Sequence, residues 1–353
     1  QKTGQSLGEG GYSKVHIIKE ISTGQKFAAK ELKPNMYSRK EDQCRLLREI
    51  NIISKLNYPS IVKFKGFSFT SIRDEHNQIY WQPTIVTEFV EKGSLLYRLQ
   101  QENIGLAPIE WDDTRRFIII LGVSSAMRYL NQNQLLHRDL KPDNILLDEN
   151  DYPKVSDFGF SRYYDESMPS CIGTSKYIAP EMLRNERYDY KVDVYSFAIM
   201  SYETITRQKA YPELGNDNLL NIPIFTRIMN GSLRPKFPTD TNEKMMELIK
   251  KCWENLPQNR PSFEEIYSEL SENFKEYIYN CNESDIEDYI ELLKESEEQQ
   301  NNVPSILSNR QNYVVNNQEH NEFIKKDQNT KEEKKSTQNN SAQSNNSSNT
   351  KKD

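Results

Sequence analysis

The chain has 353 residues and a formal net charge of −6. Residues 301–353 carry eight Lys and Arg against six Asp and Glu, and this local charge of +2 leaves −8 on residues 1–300. Such a balance argues against nucleic acid as a partner, because a nucleic-acid-binding surface needs a basic excess to neutralise phosphates.

The apolar residues and the cysteines narrow the class of protein further. No stretch approaches the roughly 20 apolar residues of a membrane-spanning helix. The longest apolar run, Phe117–Leu121, predicts a buried core helix. The four cysteines are scattered without a CxxC pair, which predicts free thiols and an intracellular, cytoplasmic location. The sequence begins at Gln1 without Met, so we expect a fragment or a trimmed chain.

The first ninety residues predict a small β-rich region. Residues 5–30 read as two extended segments around a glycine-rich turn. Residues 41–56 change to helical periodicity, with apolar residues three or four positions apart. Two strand-like segments follow, Ile61–Phe69 and Thr84–Val90, and between them Thr70–Pro83 predicts a polar, turn-rich insertion.

The remainder of the chain is different in character. Glu91–Ser94 predicts a linker, and from Leu95 to about Tyr279 the pattern is mostly helical. Residues 284–294 predict a short acidic amphipathic helix with Ser284 as a candidate N-cap. Residues 301–353 contain thirteen Asn and five Gln, a composition too polar to bury a core, so we expect disorder there.

The most specific chemical motif is His-Arg-Asp-Leu-Lys-Pro-Asp-Asn at residues 137–144, followed by Asp-Phe-Gly at residues 157–159. It combines an aspartate that can accept a proton with amide and carboxylate oxygens that can bind a metal. The run resembles the catalytic loop and metal motif of eukaryotic protein kinases, and the rest of that signature set follows in order across roughly residues 5–270.

The resemblance implies an α+β fold with two lobes. The small lobe, about residues 1–90, would be an antiparallel β-sheet with one main helix, and the large lobe, about 94–279, would be mainly helical. Together they form a kinase domain over residues 1–279, followed by the acidic helix at 280–299 and the tail at 300–353. ATP would bind in the cleft between the lobes.

The nucleotide end of the cleft is implied by Gly8-x-Gly10-x-x-Ser13-x-Val15, which resembles the kinase glycine-rich loop with serine at the third glycine. The missing third glycine and the absence of a following βαβ unit disfavour a dinucleotide-binding fold. The resemblance assigns Lys30 to the phosphates and Glu49 to the ion pair that fixes Lys30, although alone Lys30 could be a solvated lysine. The implied nucleotide-binding residues are Leu7, Gly8, Gly10, Val15, Ala28, Lys30, Thr87, Glu88, Val90 and Leu146.

The reacting centre follows from the same resemblance. Asp139 would accept the proton of the substrate hydroxyl or orient that hydroxyl, and Lys141 would neutralise the γ-phosphate. Asn144 and Asp157 would bind Mg²⁺, which prefers oxygen ligands. His137 and Phe158 would instead pack in an apolar stack that links the lobes.

The acceptor class follows from Lys141 and the segment Gly173–Glu181, which resemble serine/threonine kinases; dual specificity stays open. Residues 193–198 and 252–263 are similar to the tyrosine-kinase-like group. Within the family, Asp193 braces the catalytic loop and Glu181 pairs with Arg260.

Regulation would involve the hydroxyl-rich segment between Asp157 and Glu181. Arg138 precedes the catalytic aspartate, as in kinases whose activation segment is ordered by phosphorylation. We hypothesise that Ser167 or Ser170 is the regulatory site and that Thr174 contacts the catalytic loop; a loop that needs no phosphate is the alternative. Protein substrates, and a transient dimer for trans-phosphorylation, are the expected partners.

Two other functions remain open. A pseudokinase that binds nucleotide as a scaffold would have the same fold, but the residues required for catalysis are all present. A small-molecule kinase is disfavoured because the peptide-binding segment Gly173–Glu181 is complete.

Overall fold

A computed structural model describes residues 2–9, 13–33, 40–73, 79–163, 175–214 and 222–301. The chain divides into two compact units, Gln1–Gln300 and Asn301–Asp353, and nearly all described residues belong to the first. The predicted tail lies outside the described residues. None of the described helices is long and apolar enough to cross a membrane.

The small lobe is a five-stranded antiparallel sheet with one helix. Its strands follow the order β1-β2-β3-β5-β4, and the helix α1 precedes β4 in the chain. The elements are β1 (Lys2–Glu9), β2 (Ser13–Lys19), β3 (Lys26–Leu32), α1 (Lys40–Ile53), β4 (Phe64–Arg73) and β5 (Ile79–Glu88). The small lobe of the predicted α+β bilobal fold, an antiparallel sheet with one main helix, is therefore confirmed.

The predicted insertion at Thr70–Pro83 is largely a strand pair. The β4–β5 ladder continues past Phe69 to the pair Arg73↔Ile79. The exposed residues Thr70, Ser71 and Arg73 lie in this ladder, where backbone hydrogen bonds set the conformation and polar side chains can face water. The polar composition of this stretch therefore did not distinguish an exposed strand pair from a loop.

Residues 91–94, which the sequence predicts to be a linker, include a turn. The left-handed φ of 74° at Gly93 favours glycine. The Lys92 N–H donates to Leu147 O at 3.0 Å, and the Leu147 N–H donates to Gly93 O at 2.8 Å. Ser94 then caps the next helix by accepting from the N–H of Tyr97.

The large lobe is mainly helical, with two short two-stranded sheets. Its described helices are α2 (Leu95–Asn103), α3 (Asp113–Gln132), α4 (Pro180–Leu183), α5 (Lys191–Thr206), α6 (Ile222–Met229), α7 (Glu243–Cys252), α8 (Phe263–Glu272) and α9 (Phe274–Tyr277). Its strands are β6 (Leu135–Leu136), β7 (Ile145–Leu147), β8 (Pro153–Val155) and β9 (Arg162–Tyr163), paired as β6–β9 and β7–β8.

Two helices form the core of this lobe. The run Phe117–Leu121 in α3 is fully buried, so the prediction of a core helix is confirmed. Along α5, every residue from Val192 to Thr204 is buried. Because both helices are enclosed on all sides, loops anchored on them have rigid supports.

The last described helix, α10 (Glu283–Asn301), is longer than the predicted stripe. The four apolar residues of the predicted stripe, Ile286, Tyr289, Ile290 and Leu293, are buried, whereas Leu292 is exposed. Ser284 lies inside the helix and does not cap it. The Asn282 side chain instead accepts from the N–H of Asp285 at 3.5 Å, because the helix begins one residue earlier than the apolar pattern suggests.

Candidate active site

Lys30 is held between two carboxylates. Successive residues of a strand face opposite sides of the sheet, so buried Ala29 packs into the core while Lys30 lies on the other face of β3. The Lys30 Nζ donates to Glu49 Oε1 at 2.7 Å and to Asp157 Oδ1 at 2.8 Å. Glu49 lies on the buried side of α1, only 7% exposed, one turn from Leu46 and Ile53.

The charges in this cluster reinforce one another. Burial alone would lower the pKa of Lys30, but the negative charges of Asp157 and Glu49 outweigh it and the pKa is raised. Burial alone would raise the pKa of Asp157, yet the Lys30 charge and hydrogen bond bring the pKa below its ordinary value. Lys30 is therefore an ammonium and Asp157 a carboxylate at neutral pH.

The backbone around Asp157 is tightly fitted. Asp157 adopts a left-handed conformation with φ 61°, and its carboxylate accepts from the Gly159 N–H at 3.4 Å. A Cβ on Gly159 would lie 3.3 Å from both Asp157 Oδ1 and Glu49 Oε2. Glycine at position 159 thus allows the carboxylates of Asp157 and Glu49 to approach the backbone closely.

His137 and Phe158 pack together, as expected. Their ring centroids are 5.3 Å apart, and both side chains are buried. Asp139 N–H donates to His137 Nδ1 at 3.3 Å, and His137 Nε2 lies 3.0 Å from Ser156 O. Only the tautomer with hydrogen on Nε2 satisfies both contacts, so His137 is engaged in structure rather than poised as a base.

The structure brings Asp139, Lys141 and Asn144 together. Lys141 Nζ donates to Asp139 Oδ2 at 2.8 Å, and Asn144 Nδ2 donates to the same oxygen at 3.0 Å. Asn144 Nδ2 also donates to Asp139 O at 2.7 Å. A 3-10 turn over Pro142–Asn144 shapes the loop so that residues two and five positions apart meet.

A buried aspartate on α5 supports this loop. Asp193 accepts from the N–H groups of His137 and Arg138, each at 2.8 Å. Burial raises the pKa of the Asp193 carboxyl, with the two backbone hydrogen bonds acting in the opposite sense. Arg138 has a φ of 65°, which is uncommon for a non-glycine residue. The hydrogen bonds to Asp193 hold that conformation.

The nucleotide-binding candidates gather on one face of the small lobe's sheet. Val15 lies directly opposite Lys30, and Ala28 opposite Thr87; residues paired in this way share a face. Gly8 pairs with Val15 at the edge of the sheet. A Cβ on Gly8 would meet nothing within 4 Å, so packing among the described residues does not require glycine there. Leu7 is exposed beside it.

The linker side of the cleft carries the other candidates. Val90 is buried and Leu146 is half-buried on β7, where it bridges Ser94. The Glu88 carboxylate accepts from the Lys63 N–H at 2.8 Å and lies 3.5 Å from Lys154 Nζ. The Glu88 N–H donates to Lys63 O at 2.9 Å, and the Glu88 carbonyl accepts from Thr87 Oγ1 at 3.2 Å.

The regulatory candidates are only partly described. Arg138 donates through Nε and Nη2 to Phe160 O, at 2.8 and 2.6 Å, and through Nη1 to Tyr188 Oη at 3.0 Å. The arginine therefore connects the catalytic loop with the start of the activation segment. Gly10, Ser167, Ser170 and Thr174 lie outside the described residues.

Sequence reasoning missed Glu203. This buried α5 carboxylate accepts from Tyr177 Oη at 2.6 Å, Lys176 Nζ at 3.3 Å and the Ala210 N–H at 3.0 Å. It fixes the described end of the predicted peptide-binding segment. The sequence feature that could have indicated its role is a glutamate in a helix that is mostly apolar.

Comparison with known proteins identifies a family and several relatives. The protein kinase domain family matches residues 1–270. Serine/threonine-protein kinase STY17 of Arabidopsis thaliana is 34% identical over 254 residues, covering 71% of this chain and 41% of that protein. STY46 of the same plant is 31% identical over 278 residues, covering 78% and 44%. Dual specificity protein kinase shkB of Dictyostelium discoideum is 32% identical over 267 residues, covering 74% and 38%.

These matches identify the family and the fold. The chain belongs to the protein kinase family. It spans less than half the length of each of these three relatives.

Proposed function

We propose that this chain transfers the γ-phosphate of Mg-ATP to serine and threonine hydroxyls of proteins. The observation that carries the proposal is that Lys30 contacts both Glu49 and Asp157 while Asp139 contacts both Lys141 and Asn144. Phosphoryl transfer depends on alignment and charge stabilisation more than on covalent help from the protein. The two clusters provide ammonium groups, Lys30 and Lys141, for the negative phosphates, and carboxylates, Asp157 and Asp139, for the metal ion and the acceptor hydroxyl.

The residues present fit a magnesium site. Asn144 and Asp157 offer an amide oxygen and a carboxylate, and Mg²⁺ is usually held by one or two such groups together with substrate phosphates. The described side-chain hydrogen bonds of Asn144 run through Nδ2, so Oδ1 is the atom that would bind the metal. When bound, the metal would neutralise charge that develops on the phosphates.

The roles of the remaining residues follow from their charges. Lys30, an ammonium held by Glu49 and Asp157, would orient the α- and β-phosphates. Asp139 would accept the proton of the acceptor hydroxyl or orient that hydroxyl, and Lys141, 2.8 Å from it, would balance negative charge on the transferred group. The sheet face with Val15, Ala28 and Thr87, together with Val90 and Leu146, would enclose the adenine.

Catalysis is favoured over a scaffold role by the same contacts. A pseudokinase commonly lacks one of the charged groups or holds it out of place. Here Lys30, Glu49, Asp139, Asn144 and Asp157 are present and form hydrogen bonds within their clusters. The similarity to a dual specificity relative keeps tyrosine as a second possible acceptor.

The proposal is tested by incubating the chain with Mg-ATP and a mixed peptide library of serine, threonine and tyrosine acceptors. We expect phosphoserine and phosphothreonine by mass spectrometry, and none from a mock purification of cells that lack the chain. Phosphotyrosine alongside them would identify a dual specificity enzyme. Binding of Mg-ATP without transfer, even after activation-segment phosphorylation, would support the scaffold.

We further propose regulation by phosphorylation of Ser167 or Ser170. Arg138 supports the idea because its guanidinium already contacts Phe160, at the start of the activation segment. A phosphate would add about −1.5 to −2 charges for such a group to pair with. The Ser167→Ala/Ser170→Ala variant should lose activity; full activity would refute this mode of regulation.

We expect the enzyme to act on proteins inside the cell, with phosphorylation between two copies as one activating route.

A further inference from the structure

Helix α10 contacts the segment that joins α1 to β4. We call residues 57–60 the α1–β4 loop. The Tyr289 hydroxyl lies 2.8 Å from Ser60 Oγ, and the Tyr58 hydroxyl donates to Glu297 Oε1 at 2.9 Å. Each contact joins residues more than two hundred positions apart in the chain. The helix that follows the predicted large lobe thus reaches the loop beside the small lobe's helix.

The α10 side of these contacts is rigidly held. Tyr289 is 1% exposed and packs over Gly122 of α3, where an added Cβ would lie 2.2 Å from the Tyr289 hydroxyl. Glu297 forms an ion pair with Arg128, whose guanidinium lies 3.8 Å from the centre of the Tyr267 ring. Both α10 side chains are therefore fixed to the core of the large lobe.

The loop itself is clamped from the other side by α3. The Tyr58 ring stacks on Tyr129 with centroids 4.7 Å apart, and its hydroxyl also contacts Ser125. The Val155 N–H donates to Ser60 O at 2.8 Å. The Tyr58 ring is held by α3, and its hydroxyl is shared between Ser125 of α3 and Glu297 of α10. Substitutions at Tyr289 and Glu297 therefore remove the α10 contacts and leave the α3 contacts of the loop in place.

The loop in turn adjoins the residues that orient Glu49. Ile52 and Ile53 in the last turn of α1 and Leu56 after it are buried. Glu49 lies one turn earlier on the same helix, where it contacts Lys30. Since a helix moves as a rigid unit, displacement of the loop would shift Glu49 relative to Lys30.

We propose that Tyr289 and Glu297 are positioning residues for phosphoryl transfer, which act through Ser60 and Tyr58 to hold α1 in the orientation that pairs Glu49 with Lys30. The inference rests on the proposed kinase function. It assigns to α10 a role in catalysis although no residue of this helix is part of the catalytic clusters.

The test uses the full chain with Tyr289→Phe, Ser60→Ala, their combination, and Glu297→Gln. Each single substitution removes one hydroxyl or charge and keeps the surrounding packing. Tyr279→Phe and Glu291→Gln are the matched controls, because both side chains are exposed near or on the same helix. Steady-state rates, thermal melting and backbone hydrogen exchange are measured on every variant.

We expect each α10 variant to lower kcat by roughly 2- to 10-fold, the size of one net hydrogen bond, with the KM for peptide unchanged. Amides of residues 46–56 should exchange faster, while those of α3 should not. Ser60→Ala combined with Tyr289→Phe should be no worse than either alone, because the two groups form one contact. Tyr279→Phe and Glu291→Gln should change neither kcat nor the exchange of residues 46–56.

Two results would overturn the proposal. One is lower melting temperature with unchanged kcat and unchanged exchange in residues 46–56, which would make the contacts merely stabilising. The other is full additivity of Ser60→Ala and Tyr289→Phe. Failure of the proposed function would look different: the unmodified chain would transfer no phosphate, and exchange in residues 46–56 would still decide whether α10 positions α1.

Discussion

The Lys30 ammonium lies 2.7 Å from Glu49 Oε1, although the two residues belong to different elements and are 19 positions apart. The contact requires that α1 be docked on the sheet with its Glu49 face toward β3. The same ammonium contacts Asp157 of the large lobe at 2.8 Å. A single side chain therefore connects the sheet, the helix and the metal motif.

Replacing Glu49 with Gln should weaken catalysis without unfolding the chain. A hydrogen bond to a charged group contributes about 1.5–3 kcal/mol, so we expect kcat/KM to fall roughly 10- to 100-fold. Glu20→Gln, in the turn between β2 and β3, is the control. Equal activity of Glu49→Gln and the original chain in initial-rate assays would show that the pair is dispensable.

Arg260→Ala should reduce stability before it affects chemistry. Arg260 Nη1 and Nη2 lie 2.6 and 2.8 Å from the two oxygens of Glu181, and the pair is almost completely buried. Removing one partner of a buried ion pair typically costs about 3–5 kcal/mol. Lys275→Ala breaks an exposed pair with Glu283, which water and salt screen, and should leave the melting temperature nearly unchanged. A soluble Arg260→Ala with normal melting and no activity would refute this structural role.

The Lys30–Asp157 pair should make a constant contribution to stability near neutral pH. The folded pKa of Asp157 lies below its ordinary value, so its stabilisation is complete above the unfolded pKa of about 3.9 and is lost as pH falls through the folded pKa. The pKa of Lys30 is raised, so its contribution is complete below about 10.4 and is lost at higher pH.

This behaviour is measured as the melting temperature of the chain minus that of Asp157→Asn, without nucleotide. The difference should be positive and flat between pH 5 and 9 and should shrink below about pH 4. Asp240→Asn, an exposed carboxylate, should show little difference at any pH. A slope between pH 5 and 9 would contradict the assigned charges.

The cysteines should differ in reactivity. Cys252 is fully buried and burial raises the pKa of its thiol, whereas Cys44 is exposed on α1. Since the thiolate is the reactive form, brief alkylation of the folded chain should label Cys44 and leave Cys252 unmodified until the chain is denatured. Peptide mapping by mass spectrometry gives the answer, and early labelling of Cys252 would mean that this part of the core opens readily.

Much of this structure was accessible from the sequence because the chemistry is concentrated in short motifs. Asp139, Lys141 and Asn144 lie within six residues, so a local turn suffices to bring them together. The unbroken apolar run Phe117–Leu121 likewise predicted a core helix. The partner of Lys30 is distant in the chain, and it was identified through the family resemblance rather than by spacing.

Other features depend on docking, which no local pattern encodes. Ser60 and Tyr289 meet only because α10 packs across α3, and neither residue stands in a motif. Glu203 is one of two buried carboxylates on α5, and its partners Tyr177 and Lys176 come from a separate loop. Ser284 failed as a cap because the amphipathic stripe marks the buried face of a helix, not its first residue.

We propose that Asp139 acts in phosphoryl transfer within an assembled site. The most direct measurement compares the initial rate of transfer from Mg-ATP for Asp139→Asn with that of the original chain, alongside Mg-ATP affinity for both. Glu149→Gln, an exposed acidic residue in the turn between β7 and β8, is the matched control. We predict that Asp139→Asn loses at least about 100-fold in rate, within the range for a positioned acid–base group, and keeps its affinity for Mg-ATP. Transfer by Asp139→Asn at the rate of the original chain would contradict the account.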